Sequence, residues 1–140
     1  MKKLVLVFAA IGFVAMAATS KMSSSNDEVT LKSVLKIEKY QACIDACNAC
    51  IVSCKKCESV CSKEKNSKMT ECKKLCKECV SSCEKAIKAM KADSKNVKSI
   101  CLDCAKVCEK CATECEKFDM ADCKQCAIDC RIAAKNCNEM

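Results

Sequence analysis

The sequence predicts an all-α fold. It reads as an antiparallel up-down-up-down four-helix bundle with a cysteine-lined core, led by a short N-terminal helix or by a kinked start to the first long one. Three observations carry this reading. The 140-residue chain has no proline and a single glycine, Gly12, so the turn residues that a sheet needs are missing. Aromatic residues are confined to Phe8, Phe13, Tyr40 and Phe118, which rules out an ordinary aromatic-rich core. Nineteen residues are cysteine, and they recur at alternating steps of three and four, the inward seam of a bundled helix.

Residues 1–20 read as a secretory signal peptide. Lys2 and Lys3 form a basic start, an apolar run follows from Leu4 to Ala18, and Ala15-Met16-Ala17 offers a small-x-small cleavage site. The run falls short of the roughly 18 apolar residues of a spanning helix, although a retained anchor is the alternative. No twin arginine is present, so the signal is of the general secretory kind, and no cysteine near the cleavage site invites lipidation. The expected location is therefore exported, periplasmic or extracellular. Cleavage removes two lysines from a chain of net charge +7. The remaining lysines interleave with acids on outward positions, and without aromatics among them they do not support nucleic-acid binding. No membrane contact is expected after cleavage.

Residues 21–27 read as a polar linker and residues 28–140 as the cysteine-rich bundle. Ser25 and Glu28 have capping-box spacing, and the apolar residues Leu31, Val34, Leu35 and Ile37 fall out of register with the seam that follows. The first long helix then carries Cys43, Cys47, Cys50, Cys54, Cys57 and Cys61. The second carries Cys72, Cys76, Cys79 and Cys83, continued by Ala86 and Met90, with Ser67 or Thr70 as its N-cap. The third runs from Val97 through Cys101, Cys104, Cys108, Cys111 and Cys115 to Phe118, with Asp93 or Ser94 as its cap. The fourth holds Cys123, Cys126, Cys130, Ala133, Cys137 and Met140, with Asp119 as its cap and Asp122 three residues on. Ile44, Ile51, Leu75, Val80, Val107 and Ala112 widen each buried stripe. The pattern is one helix of some 20 to 25 residues used four times, joined by links short enough to make neighbours antiparallel.

Thiols at i and i+4 share a helix face with Cβ atoms about 5–6 Å apart, too far for the 3.8 Å or so of a disulfide. Two sulfurs about 4.6 Å apart, twice a metal–sulfur bond of about 2.3 Å, would hold a metal linearly. Eight such pairs occur: Cys43/Cys47, Cys50/Cys54, Cys57/Cys61, Cys72/Cys76, Cys79/Cys83, Cys104/Cys108, Cys111/Cys115 and Cys126/Cys130. Cys101, Cys123 and Cys137 complete the seams without an i+4 partner on the pattern. All-thiolate ligands with thioether nearby and no histidine select soft cations, Cu(I) first and then zinc or cadmium. Four thiols along one straight helix cannot wrap a tetrahedral ion unless facing helices supply the rest. "CLDCAKVCEKC" superficially matches ferredoxin spacing, but it lies on a continuous helix and lacks the proline of that motif.

Cysteine seams with repeated C-x-x-x-C on four antiparallel helices resemble the bacterial copper storage proteins, over roughly Val29 to Met140. The resemblance implies a four-helix bundle that stores multiple Cu(I) ions on cysteine pairs, with methionine and histidine lining its open end. This chain has no histidine, so the entrance falls to methionine. Met69 and Met120 flank the bundle end that gathers Cys61, Cys72, Cys115 and Cys123, and they are the candidate metal entrance; the competing reading makes them gap-filling core residues. The opposite end gathers Tyr40, Ala86, Met90, Val97, Met140 and the segment from Leu31 to Ile37, and reads as an apolar plug. Linear pairs alone imply about eight ions, and bridging between helices raises the capacity toward one per cysteine. The expected partners are copper ions and a copper chaperone or recipient copper enzyme, with homo-oligomerisation left open. Loading is expected after export.

Two rival readings concern the thiols themselves. Cysteine packs as a small hydrophobe, but leucine and isoleucine pack better and do not oxidise. A disulfide-stapled exported scaffold is the stronger rival, since interhelical pairs escape the geometric objection; the odd cysteine count speaks against it. An enzyme is the least supported class. There is no histidine to act as a base, no Gly-rich phosphate loop, and no βαβ setting for a redox C-x-x-C.

Overall fold

The computed structural model describes residues 25–64 and 66–140. The expected signal peptide lies outside them. Four helices form the fold: α1 (Ser25–Lys63), α2 (Thr70–Lys91), α3 (Val97–Cys115) and α4 (Ala121–Asn138), with a 3-10 turn, Ser67–Met69, ahead of α2. Each helix packs on its two neighbours, α1 on α2, α2 on α3, α3 on α4 and α4 back on α1. The cross-helix sulfur contacts fix the direction. Along α2 and α3, Cys72 meets Cys115, Cys79 meets Cys108 and Cys83 meets Cys104, so one number rises as the other falls. Cys61 with Cys123, Cys54 with Cys126 and Cys43 with Cys137 show the same order for α1 and α4. The bundle is antiparallel and up-down-up-down.

The seam positions are the core. Cysteine, alanine, Ile44, Leu75, Ile87, Met69, Met90 and Tyr40 make up one buried cluster, against which Ile51, Val80, Val107 and Phe118 pack from the side. Among the described residues, no helix is long and apolar enough to cross a membrane. Surface pairing is mainly lysine with acid, some at helical spacing, such as Lys74 with Glu71 and Glu78, and some between helices, such as Lys77 with Glu58. The single arginine is different: Arg131 of α4 pairs with Glu109 of α3 and forks onto Glu116 beyond it, holding the two helices together at the surface.

Two local expectations are corrected. The separate helix or kinked start from Leu31 to Ile37 is instead part of α1, a single element of 39 residues. Its length explains the loss of register. A helix of that length spans about 58 Å, whereas partners of 18 to 22 residues span about 27–33 Å. The first turns of α1 therefore have no facing helix, and Leu31, Val34 and Leu35 remain exposed rather than plugging the bundle. Among the described residues, the core begins at Tyr40.

The caps also differ. Asn66, not Ser67 or Thr70, accepts a hydrogen bond from the Lys68 amide and starts the 3-10 turn, and Met69 occupies the N-cap of α2. Met120 occupies the N-cap of α4, while Asp119 pairs instead with Lys124 at 2.9 Å, which lowers its pKa. Asp93 does not start α3; it ends α2. Its φ of 46° is left-handed, and the Asp93 and Ser94 amides donate back to the carbonyls of Met90 and Ala89, a Schellman closure. In a chain without glycine here, the short polar Asp is the residue that tolerates that conformation. Ser94 accepts from the Asn96 amide and so braces the turn, while Asn96 holds the N-cap of α3. The backbone of α1 includes Ser25, but the side chains of the Ser25–Glu28 capping box lie outside the described set.

Candidate metal centre

All nineteen cysteines are free and buried. None exceeds 3% exposure, a figure reached only by Cys43. The 3–4 alternation explains this, because each seam residue falls on the stripe facing the bundle axis. The structure thus brings together every cysteine that the sequence singles out: Cys43, Cys47, Cys50, Cys54, Cys57 and Cys61 from α1; Cys72, Cys76, Cys79 and Cys83 from α2; Cys101, Cys104, Cys108, Cys111 and Cys115 from α3; and Cys123, Cys126, Cys130 and Cys137 from α4.

Within a helix, the Cys50/Cys54, Cys57/Cys61, Cys104/Cys108 and Cys126/Cys130 sulfurs lie 3.9 Å apart. That is shorter than the 4.6 Å or so of a linear bridge, a gap that rotation about χ1 closes. Between helices the sulfurs come closer still. Cys50 lies 3.5 Å from both Cys79 and Cys130, and Cys54 lies 3.5 Å from Cys126. Facing helices do supply what one straight helix cannot, and the thiols form quartets such as Cys50, Cys79, Cys83 and Cys108 with all sulfurs within 4.8 Å of one another. The spacing along one helix does not reveal these groupings, because they depend on the register between helices.

The thiols perturb one another. Burial pushes Cys61 up to about 12, with the neighbouring Cys72 and Cys123 adding to the effect, and burial likewise raises Cys123. At the other end Cys101 rises to about 11: Cys137 opposes the shift, but the hydrogen bond with Cys43 and burial outweigh it. In the middle, thiols at Cys108, Cys130, Cys54 and Cys79 can donate to a Cys50 thiolate and pull it down, while its neighbour Cys54 moves up. A cation entering this core meets protons that it must displace, and sulfurs already arranged to share it.

Met69 is buried and Met120 half-buried at the end where Cys57 and Cys61 meet Cys72 and Cys123. Tyr40, Ala86 and Met90 are buried at the opposite end, with Val97 and Met140 packed partly against them. Two polar contacts, one at that end and one midway along the bundle, went unmarked by the cysteine pattern. The only tyrosine, Tyr40, donates to Asp93 Oδ1 at 3.0 Å, and Ser53, the one buried polar residue among those described, donates to the Cys50 carbonyl at 3.1 Å. A lone tyrosine in an aromatic-poor chain was the available signal for the first.

Comparison with known proteins agrees with this geometry. A family model described as Csp, copper storage protein, matches residues 36–140. The Cu(I)-bound copper storage protein BsCsp3 is 40% identical, with a TM-score of 0.69, over 71% of this chain and 95% of that one. Apo copper storage protein 3 from Bacillus subtilis is also 40% identical, with a TM-score of 0.68 and the same coverage of 71% and 95%. A protein from Nitrosospira multiformis is 30% identical, with a TM-score of 0.66, over 73% of this chain and 94% of that one. No curated protein matches the chain. The chain belongs to the copper storage protein family.

Proposed function

We propose that this protein binds and stores many Cu(I) ions on the thiolates of all nineteen cysteines, and that it loads them after export through the end flanked by Met69 and Met120. The observation that carries the storage reading is the continuous set of buried free thiols inside a copper storage fold. Charge balance then favours a high capacity. A Cu(I) ion on two thiolates leaves one net negative charge in a dry core, where charge is expensive, whereas one Cu(I) per thiolate leaves none. Contacts between helices at 3.3 to 3.9 Å let each sulfur serve more than one ion. The protein has no reaction to catalyse in this reading; it takes copper from a donor such as a chaperone and yields it to a recipient copper enzyme.

Methionine suits the entrance because a thioether binds Cu(I) without losing a proton. The basic start at Lys2 and Lys3 and the apolar run from Leu4 to Ala18, read as a secretory signal, support export. Native mass spectrometry of the protein from copper-grown cells tests the proposal. Masses carrying many copper ions and starting after residue 20 support it. A metal-free mass short of two hydrogens for every pair of cysteines identifies a disulfide scaffold instead.

A further inference from the structure

The thiols form several close quartets, and one of them stands apart by its place at two helix N-termini. Cys57, Cys61, Cys72 and Cys123 lie within 4.8 Å of one another and come from α1, α2 and α4. Cys57 is 3.9 Å from Cys61, 3.8 Å from Cys72 and 3.3 Å from Cys123, and Cys61 is 3.8 Å from Cys72 and 3.9 Å from Cys123. A tetrahedral ion with metal–sulfur bonds of about 2.3 Å needs its four sulfurs about 3.8 Å apart. The apo quartet stands close to that arrangement without rearrangement of the helices. We propose that in the copper-free protein it is a site for one divalent cation of the zinc class, on four of the thiols that the Cu(I) store also uses.

Charge selects this quartet over the others. Four thiolates around a divalent ion carry two net negative charges, which a dry core does not tolerate unpaired. Cys72 and Cys123 are each the third residue of their helix, α2 from Thr70 and α4 from Ala121. Neither helix has a side-chain cap, so first-turn amides at both N-termini favour negative charge, which the quartet shares with the first-turn carboxylates Glu71 and Asp122. Cys61 sits near the C-terminus of α1, which has the opposite sign, and Lys63 in that last turn offsets it. The quartet of Cys50, Cys79, Cys83 and Cys108 lies in helix interiors and has no such help. Binding breaks four S–H bonds, forms four metal–sulfur bonds and releases the protons to solvent; no electrons change hands.

Anaerobic titration of the reduced full chain with Co²⁺, a spectroscopic stand-in for zinc, tests the site. The expected result is the intense visible bands of four-coordinate thiolate cobalt, saturating at one equivalent and bleached by Zn²⁺. The bands vanish in Cys57→Ser with Cys123→Ser and persist in Cys50→Ser with Cys108→Ser. Should either variant lose its helical far-UV spectrum, alkylation mapping of the unmutated protein with one equivalent of Zn²⁺ decides, with protection expected at these four thiols. Absence of the bands, or protection concentrated on other thiols, overturns the proposal. The Cu(I) capacity of the same preparation is read separately, so failure of the copper store and failure of this site give different results.

Discussion

Cys57 and Cys123, sixty-six residues apart in the chain, bring their sulfurs to 3.3 Å, with the Cys57 thiol donating. A contact that close between α1 and α4 means that the thiols do more than fill space. They form a connected set across helices, in which a proton or a metal at one sulfur is felt at the next.

The raised thiols at the two ends of the core, Cys61 and Cys101, make the apo-protein sensitive to alkali. Cys61 rises from 9.0 to about 12 and Cys101 from 9.0 to about 11, so the folded state holds protons that the unfolded state releases. Such groups contribute their stability fully below pH 9.0 and lose it as pH climbs toward about 11 to 12. Denaturant melts of the reduced apo-protein at pH 7, 9 and 11 should show a midpoint that is level at first and then falls. A midpoint that rises toward alkaline pH contradicts this account of the core.

Tyr40 and Asp93 tie α1 to the end of α2. Tyr40→Phe removes the hydrogen bond and is expected to cost about 0.5–1.5 kcal/mol. Asp93→Ala should cost more, because the left-handed φ remains while the polar side chain that eases it is gone. Asp93→Gly loses the bond but relieves the backbone, so its loss should be the smaller of the two Asp93 variants. Thermal melts of the three proteins give the order directly.

Met69→Leu with Met120→Leu keeps the apolar bulk at the proposed entrance and removes both thioethers. Stopped-flow uptake from a Cu(I) donor should be slower, with the same end point, since no thiol is lost. Slower uptake in Met90→Leu with Met140→Leu, and none in the first pair, would place the entrance at the other end.

The bundle and its seams were legible because helical periodicity alone decides which face turns inward. From Cys43 to Cys137, every cysteine of the pattern is buried, as are Ala86, Met90 and Ala133, while Val97 and Phe118 are partly buried. The extent of α1 was not legible, since Leu31, Val34 and Leu35 look like core residues and only the shortness of the facing helices leaves them bare. Asp93 was misread for a related reason: the same short carboxylate that caps a helix start also tolerates the left-handed turn that ends one. The quartets were hidden because spacing within a helix carries no register between helices.

The central claim is that the thiol core is a high-capacity Cu(I) store. Anaerobic titration of the reduced protein with Cu(I), in competition with a strong Cu(I) chelator, tests it most directly. The account predicts that the protein outcompetes the chelator for many equivalents, rising toward one ion per cysteine, and that capacity weakens as pH falls because each ion displaces a thiol proton. Saturation at one or two ions, with the remaining copper left on the chelator, would contradict it.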